Sequence, residues 1–298
     1  MLNPTSRSLF LAGPAACALL LAIPSAGEAP RGSGAQNDQM NAVLWMQRSA
    51  EYKANCFQVF GQARRQLGPA LADKKWTACI EQVGQKGMED LPVAIIADVD
   101  ETVLDNSAYN ARLIADGKDF DSTEWTKWTA EQQALPVPGA LGFFGAAHAM
   151  GIRVIYVTNR TTAEEDATRG NLKRLGFPLV EGHGEDLVLS KGEIGDKSER
   201  RRQACKSYRI LEILGDNFGD FMPWPDPRKD NPQGDEVEGR VTEATRDARV
   251  SEYGALWGLQ WFILPNPVYG SWESVLRAQS KDRHSLLRLQ RRATKPKK

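Results

Sequence analysis

The sequence predicts an α/β fold organised around a mainly parallel sheet. Three short apolar runs carry this reading: Val93–Ala97, Ile152–Val157 and Ile210–Leu214. Runs this short, bounded by polar turns, are strands buried on both faces, as inside parallel sheets. The amphipathic stretch Gly139–Met150 lies between the first two. Strand, helix, strand makes a right-handed crossover unit, so the strands run parallel and their carboxyl ends lie side by side. All three runs end in polar residues: Asp98 and Asp100; Thr158, Asn159 and Arg160; Asp216 and Asp220. Ligands of open α/β sheets bind beyond the carboxyl ends of the strands, which makes these residues the candidate site.

The chain has 298 residues and a formal net charge of zero, so nothing points to nucleic acid as an obligate partner. Residues 1–29 read as an export signal. Arg7 precedes the apolar segment Leu9–Ile23, and small residues suited to cleavage near Ala26 or Ala29 follow. The apolar segment is too short for a membrane span. Residues 30–39 form a small polar linker.

Over 40–88 the spacing predicts an α-hairpin: one helix from Asn41 to Leu67, a stop at Gly68 and Pro69, and a second helix from Ala70 to Gln85. Run antiparallel, these helices bring Cys56 and Cys79 face to face as a disulfide; three buried thiols, with Cys205, is the alternative. The domain that carries the strands spans 89–275. Within it, 106–138 is polar and aromatic, with Trp125 and Trp128, and reads as a small helical insertion.

The next helix opens on a capping box, Thr162 to Glu165, and ends near Gly176. Leu187–Leu189 is a short strand. Pro223–Arg249 is a long polar excursion, Trp261–Leu264 a last strand, and the final helix starts at Trp272. Residues 276–298 are a basic tail; eight Lys or Arg stand against Asp282 alone over 281–298. Such a tail is suited at most to weak contact with anionic lipid.

Two aspartates spaced by two at a strand end put both carboxylates on one side, where they repel unless a cation joins them. Mg²⁺ suits such a site, because it takes carboxylate, water and phosphate oxygens. Several acids and a phosphate in one pocket also call for a lysine. Lys197, followed by Arg200 and Arg201, is the candidate; Lys191 is the other.

The stretch DVDETVLDNSAY, 98–109, resembles the first motif of the haloacid dehalogenase superfamily, in the form found in class C bacterial acid phosphatases and outer-membrane lipoprotein 5′-nucleotidases. Thr158 with Asn159, Lys197, and the GDxxxD of Asp216 and Asp220 look like the second, third and fourth motifs, in order. The resemblance implies a three-layer α/β/α Rossmann-like core with a small helical cap insertion. It further implies an Mg-dependent acid phosphatase that cleaves phosphomonoesters, nucleoside 5′-monophosphates among them, through an aspartyl-phosphate. Asp98 is then the nucleophile and Asp100 the acid and base, Thr158, Asn159 and Lys197 hold phosphate, and Asp98, Asp100, Asp216 and Asp220 form the metal site. Trp125 and Tyr269 fall where relatives stack a nucleotide base, with Trp128 and Trp272 close enough to be confused with them.

Lipoprotein relatives leave open lipid attachment at Cys17, which follows Ala15 and Ala16, and hence an outer-membrane anchor in place of a free periplasmic enzyme. The alternatives are a phosphotransferase, a sugar or protein phosphatase, or a surface haem carrier or adhesin whose acidic loop merely stores a cation. There is no GxSxG elbow, P-loop or zinc-type cluster, and none of His148, His183 and His284 has the neighbouring arginine of a phosphohistidine site.

Overall fold

The computed structural model describes residues 39–179, 187–223, 242–280 and 283–287. Its centre is a five-stranded, all-parallel sheet in the order β5-β4-β1-β6-β7. The strands are β1 (Val93–Ala97), β4 (Arg153–Thr161), β5 (Val188–Lys191), β6 (Arg209–Gly215) and β7 (Trp261–Ile263). The chain builds outward from β1 through β4 to β5, then returns to β1's other side for β6 and β7. That reversal opens a crevice beyond the carboxyl ends of β4, β1 and β6.

Alternation along the strands feeds two apolar clusters, one on each face. Ile95, Ala97, Val154, Tyr156 and Leu214 point one way; Ala94, Ile96, Ile155, Val157 and Ile213 point the other. The first face is covered by α2 (Ala50–Ala72), α5 (Ala140–Ala149) and α6 (Glu165–Leu175). The second packs against α7 (Ser198–Ser207) through Ala204 and Cys205. The expected helix–sheet–helix layering is therefore present.

The N-terminal hairpin differs from expectation. A short α1 (Met40–Arg48) ends at Ser49, whose extended backbone breaks the helix and whose hydroxyl accepts from Tyr52 N at 3.0 Å to cap α2. The helix α2 then runs through Gly68 and Pro69 to Ala72, burying Tyr52, Cys56, Phe60, Ala63, Leu67 and Ala70 along one stripe. It continues because the buried Arg209 of β6 donates to its C-terminal carbonyls, Ala70 O at 3.0 Å and Asp73 O at 2.8 Å. The expected second helix over 70–85 does not form. Its polar groups bond across to β6 instead, with Ala78 N on Ile210 O at 2.8 Å and Trp76 Nε1 on Leu211 O at 2.7 Å. Cys56 and Cys79 consequently lie in the clusters on opposite sheet faces, and both are free thiols.

The insertion after β1 is anchored by a two-stranded antiparallel ladder, β2 (Leu104–Asp105) with β3 (Leu135–Pro136). Between them lie α3 (Ser107–Asp116) and α4 (Ser122–Glu131), which form the cap. The capping box before α6 sits one residue earlier than expected, between Thr161 and Glu164, with a 3-10 turn separating it from the helix. Part of the expected excursion is helical, Glu243–Glu252, started by the Thr242 side chain accepting from Thr245 N. The expected export signal with Cys17, nearly all of the linker and most of the basic tail lie outside the described residues. Among the described residues no helix is long and apolar enough to cross a membrane.

Candidate active site

The ends of β1, β4 and β6 meet in the crevice. Asp98, at the end of β1, is 6% exposed, and its N–H donates to Leu214 O of β6 at 2.9 Å. After Asp100 the loop turns sharply: Glu101 has φ 60°, a conformation costly for a residue with a side chain. Its carboxylate is held in place, accepting from Asn106 N at 2.9 Å and from the Tyr269 hydroxyl.

Asp98, Asp216 and Asp220 bring carboxylate oxygens within 4.8 Å of one another. Lys197, 5% exposed at the start of α7, donates to Asp98 Oδ1 and, at 2.7 Å, to Asp220. Asp220 closes a capping box with Asn217 and lies over Gly215, where an added Cβ would meet its Oδ2 at 2.4 Å. Only glycine admits the carboxylate that close. Lys191, by contrast, is half-buried at the end of β5 and outside this cluster.

Electrostatics show what the cluster lacks. Burial pushes the Asp98 carboxyl up to about 7; Lys197 opposes this, while Asp220 and Asp100 add to it. Burial raises Asp216 well above the carboxylate range, with Asp98 and Asp220 contributing. For Lys197 burial pulls downward, but Asp220 and Asp98 outweigh it and the ammonium is stabilised. Three carboxylates thus share one ammonium, and among the described residues Asp216 accepts its hydrogen bond from the neutral amide of Asn266, at 2.7 Å. An all-oxygen, anion-rich set of this kind fits a divalent cation.

Asp100 stands apart, paired with Arg160. The guanidinium, 2% exposed, donates to Oδ1 at 2.7 and 3.0 Å and to Oδ2 at 3.2 Å; Asn106 Nδ2 adds a bond to Oδ1 at 2.9 Å. Thr158 is wholly buried, while Asn159 is exposed towards the crevice. Both are set by Arg200, which donates to Thr158 O and, at 2.7 Å, to Asn159 Oδ1. Arg201 does the same for the β6 loop, donating to Gly219 O at 2.9 Å and Asp220 O at 3.0 Å. Through these arginines α7 pins the loops after β4 and β6 at once.

A cavity of about 610 Å³ joins Asp98, Asp100 and Asp216 to Trp125 and Tyr269. Trp125 is half-buried in the cap, edge-on to Tyr109 at 5.1 Å, with Arg160 over its ring at 5.5 Å. Trp128 is 3% exposed and donates to Asn106 Oδ1 at 2.9 Å, so it is a core residue. Trp272 lies outside that cavity, in an adjoining groove.

Sequence reasoning gave Glu101 and Asn106 no role, and it named Arg160 and Arg200 without their partners. Glu101 and Asn106 lie inside the first motif and Arg160 directly follows Asn159, so their places were visible although their bonds were not.

A parallel α/β sheet with acids, a lysine and a helical cap at its switch point defines the haloacid dehalogenase class of fold and site. Residues 33–272 match the family described as HAD superfamily, subfamily IIIB (acid phosphatase), and the chain belongs to it. It is similar to the class C acid phosphatase from Bacillus anthracis, at 29% identity and a TM-score of 0.68, over 84% of this chain and 97% of that one. A second structure of that enzyme, with tungstate bound, matches at 30% identity and a TM-score of 0.67, with the same coverage. Curated relatives include a soybean (Glycine max) stem 28 kDa glycoprotein, 24% identical over 131 residues. Another is tomato (Solanum lycopersicum) acid phosphatase 1, 29% identical over 135 residues. Each of these two matches covers 43% of this chain, which spans about half the length of the curated relatives it matches.

Proposed function

We propose that the chain is an Mg²⁺-dependent acid phosphatase acting on phosphomonoesters, with nucleoside 5′-monophosphates among its substrates. The observation that carries this reading is the buried Asp98 held by Lys197 beside Asp216 and Asp220. Asp98 attacks phosphorus in line, and the bond to the leaving oxygen breaks as the aspartyl-phosphate forms. Lys197 neutralises the non-bridging oxygens, and Thr158 and Asn159 bind them. Asp98, Asp216, Asp220 and the backbone carbonyl of Asp100 are the groups to hold Mg²⁺, which when bound supplies charge neutralisation at the phosphoryl group.

Asp100 hands a proton to the leaving alcohol and then takes one from the water that hydrolyses the aspartyl-phosphate. Its Oδ1 accepts three bonds from Arg160 and Asn106 while Oδ2 accepts one at 3.2 Å, so Oδ2 is the oxygen with capacity for the proton. Trp125 and Tyr269, which line the same cavity as the acids, give a base two aromatic side chains to stack on. Tungstate is a tetrahedral oxyanion like phosphate, and its presence in the similar Bacillus anthracis enzyme supports the same ligand class here. The export reading of residues 1–29, with cleavage or Cys17 lipidation, rests on the sequence alone.

Hydrolysis of a phosphomonoester panel, with Mg²⁺ and with chelator, tests the proposal on wild type and Asp98→Asn. Turnover should need the metal and fall by several orders of magnitude in the variant while its fold persists. Substantial turnover by Asp98→Asn, with contaminating phosphatase excluded, removes Asp98 from the nucleophile role.

A further inference from the structure

The segment that follows α2 and the helix α7 are tied together on the second face of the sheet. Gln82 donates to the carbonyls of Cys205 at 2.9 Å and Tyr208 at 2.7 Å, and accepts from Ile210 N at 3.1 Å. Glu81 pairs with Arg201 at 2.7 Å. Arg201 and Cys205 are four residues apart, so α7 presents both on one face. Opposite them, Cys79 precedes the 3-10 turn Ile80–Gln82, and its thiol donates to Glu81 Oε2 at 3.2 Å. Cys79 and Cys205 are 0% and 2% exposed and pack in the same apolar cluster. Gln82, three residues after Cys79, holds the carbonyl of Cys205 itself, and the Cys205 thiol together with burial pushes Cys79 far up. Cys56 is elsewhere, buried in the cluster on the other face.

We propose that Cys79 and Cys205 form a disulfide when the chain folds in the presence of a disulfide oxidant, and that Cys56 stays a thiol. Thiols packed as neighbours in one cluster reach bonding distance by side-chain rotation, whereas cysteines on opposite sheet faces need the backbone to move. The Cys205 thiolate attacks one sulfur of the oxidant, whose disulfide breaks and releases a thiolate. Cys79, once it has lost its proton, attacks the Cys205 sulfur in that mixed disulfide and releases the second thiolate. The two protons end on the released thiolates, so two thiols become one disulfide while one oxidant disulfide becomes two thiols. Burial of both sulfurs confines this exchange to folding or local opening. The proposal is independent of the phosphatase reading.

The bridge closes a loop from residue 79 to residue 205. Constraint of the unfolded chain grows with loop length, and a loop of this size raises the melting temperature by about 10 °C. It also staples in place the helix that carries Lys197, Arg200 and Arg201.

The test refolds the full chain from denaturant in oxidised or in reduced glutathione, then alkylates, digests and maps the peptides by mass spectrometry. Oxidised samples should yield one cross-linked pair, Cys79 with Cys205, with Cys56 alkylated and melting about 10 °C above the reduced sample. Cys79→Ser should lose both the cross-linked pair and the redox dependence of melting. Should that variant fail to fold, the wild-type peptide map decides alone. Alkylation of all three of Cys56, Cys79 and Cys205 after oxidative refolding overturns the proposal. So does a bridge that includes Cys56 or Cys17.

Discussion

Glu212 lies in the middle of β6, opposite Ile95 of β1, at 0% exposure, and neither carboxylate oxygen has a hydrogen-bond partner among the described residues. Burial pushes this carboxyl from 4.5 up to about 9. The folded protein therefore holds a proton here that the unfolded chain has already released. Stability falls as pH rises wherever the folded state binds more protons, so this group destabilises progressively from about pH 4.5 to about pH 9. The slope is about 1.4 kcal/mol per pH unit, which brings the cost at pH 7 to about 3 kcal/mol. Glu212→Gln keeps the shape and removes the ionisation. The variant should match wild type near pH 4.5 and exceed it by about 3 kcal/mol, or about 6 °C in melting temperature, at pH 7. Urea unfolding from pH 5 to pH 8 reads the difference directly. Parallel stability curves for the two proteins over that range would refute the reasoning, because they would mean that Glu212 is ionised or solvated in the folded state.

Gly215→Ala should drive the Asp220 carboxylate off its seat, since the new Cβ would sit 2.4 Å from its Oδ2. A displacement of about 1 Å in such a site costs on the order of 100-fold in rate, measurable as activity against Mg²⁺ concentration; wild-type metal dependence would count against Asp220's place in the site. Asp216→Asn should weaken metal binding, with part of the activity recovered at high Mg²⁺; equal loss at every metal concentration argues against ligation. Trp125→Ala and Tyr269→Ala should each raise KM for nucleoside 5′-monophosphates about tenfold and leave a small non-aromatic phosphate nearly unaffected. Tyr269→Phe separates two roles: it keeps the ring and loses only the bond to Glu101. Equal losses on both substrates in the alanine variants would sink the stacking role.

The sequence by itself determined the strands and the acids at their ends. Val93–Ala97, Ile152–Val157 and Ile210–Leu214 are apolar runs broken only by Arg153 and Glu212, the pattern of strands buried on both faces. Asp98 and Asp216 follow the ends of those runs closely, so parallel strands deliver them to one edge, whereas Asp220, on the turn beyond, is held there by Lys197 and Arg201. The tertiary structure alone decided what depends on a partner far along the chain. Gly68 and Pro69 read as a helix stop, yet α2 passes them because Arg209, about 140 residues later, takes up its end carbonyls. The sequence left Lys197 and Lys191 as rivals, and only folding put Lys197 between Asp98 and Asp220. Cys79 was matched to Cys56 on local helical geometry, but the segment lies against β6 and α7, beside Cys205. Local pattern specifies which backbone a segment adopts, whereas the mate of a buried charge, thiol or helix end is set by the packing of elements whose separation along the chain leaves no local trace.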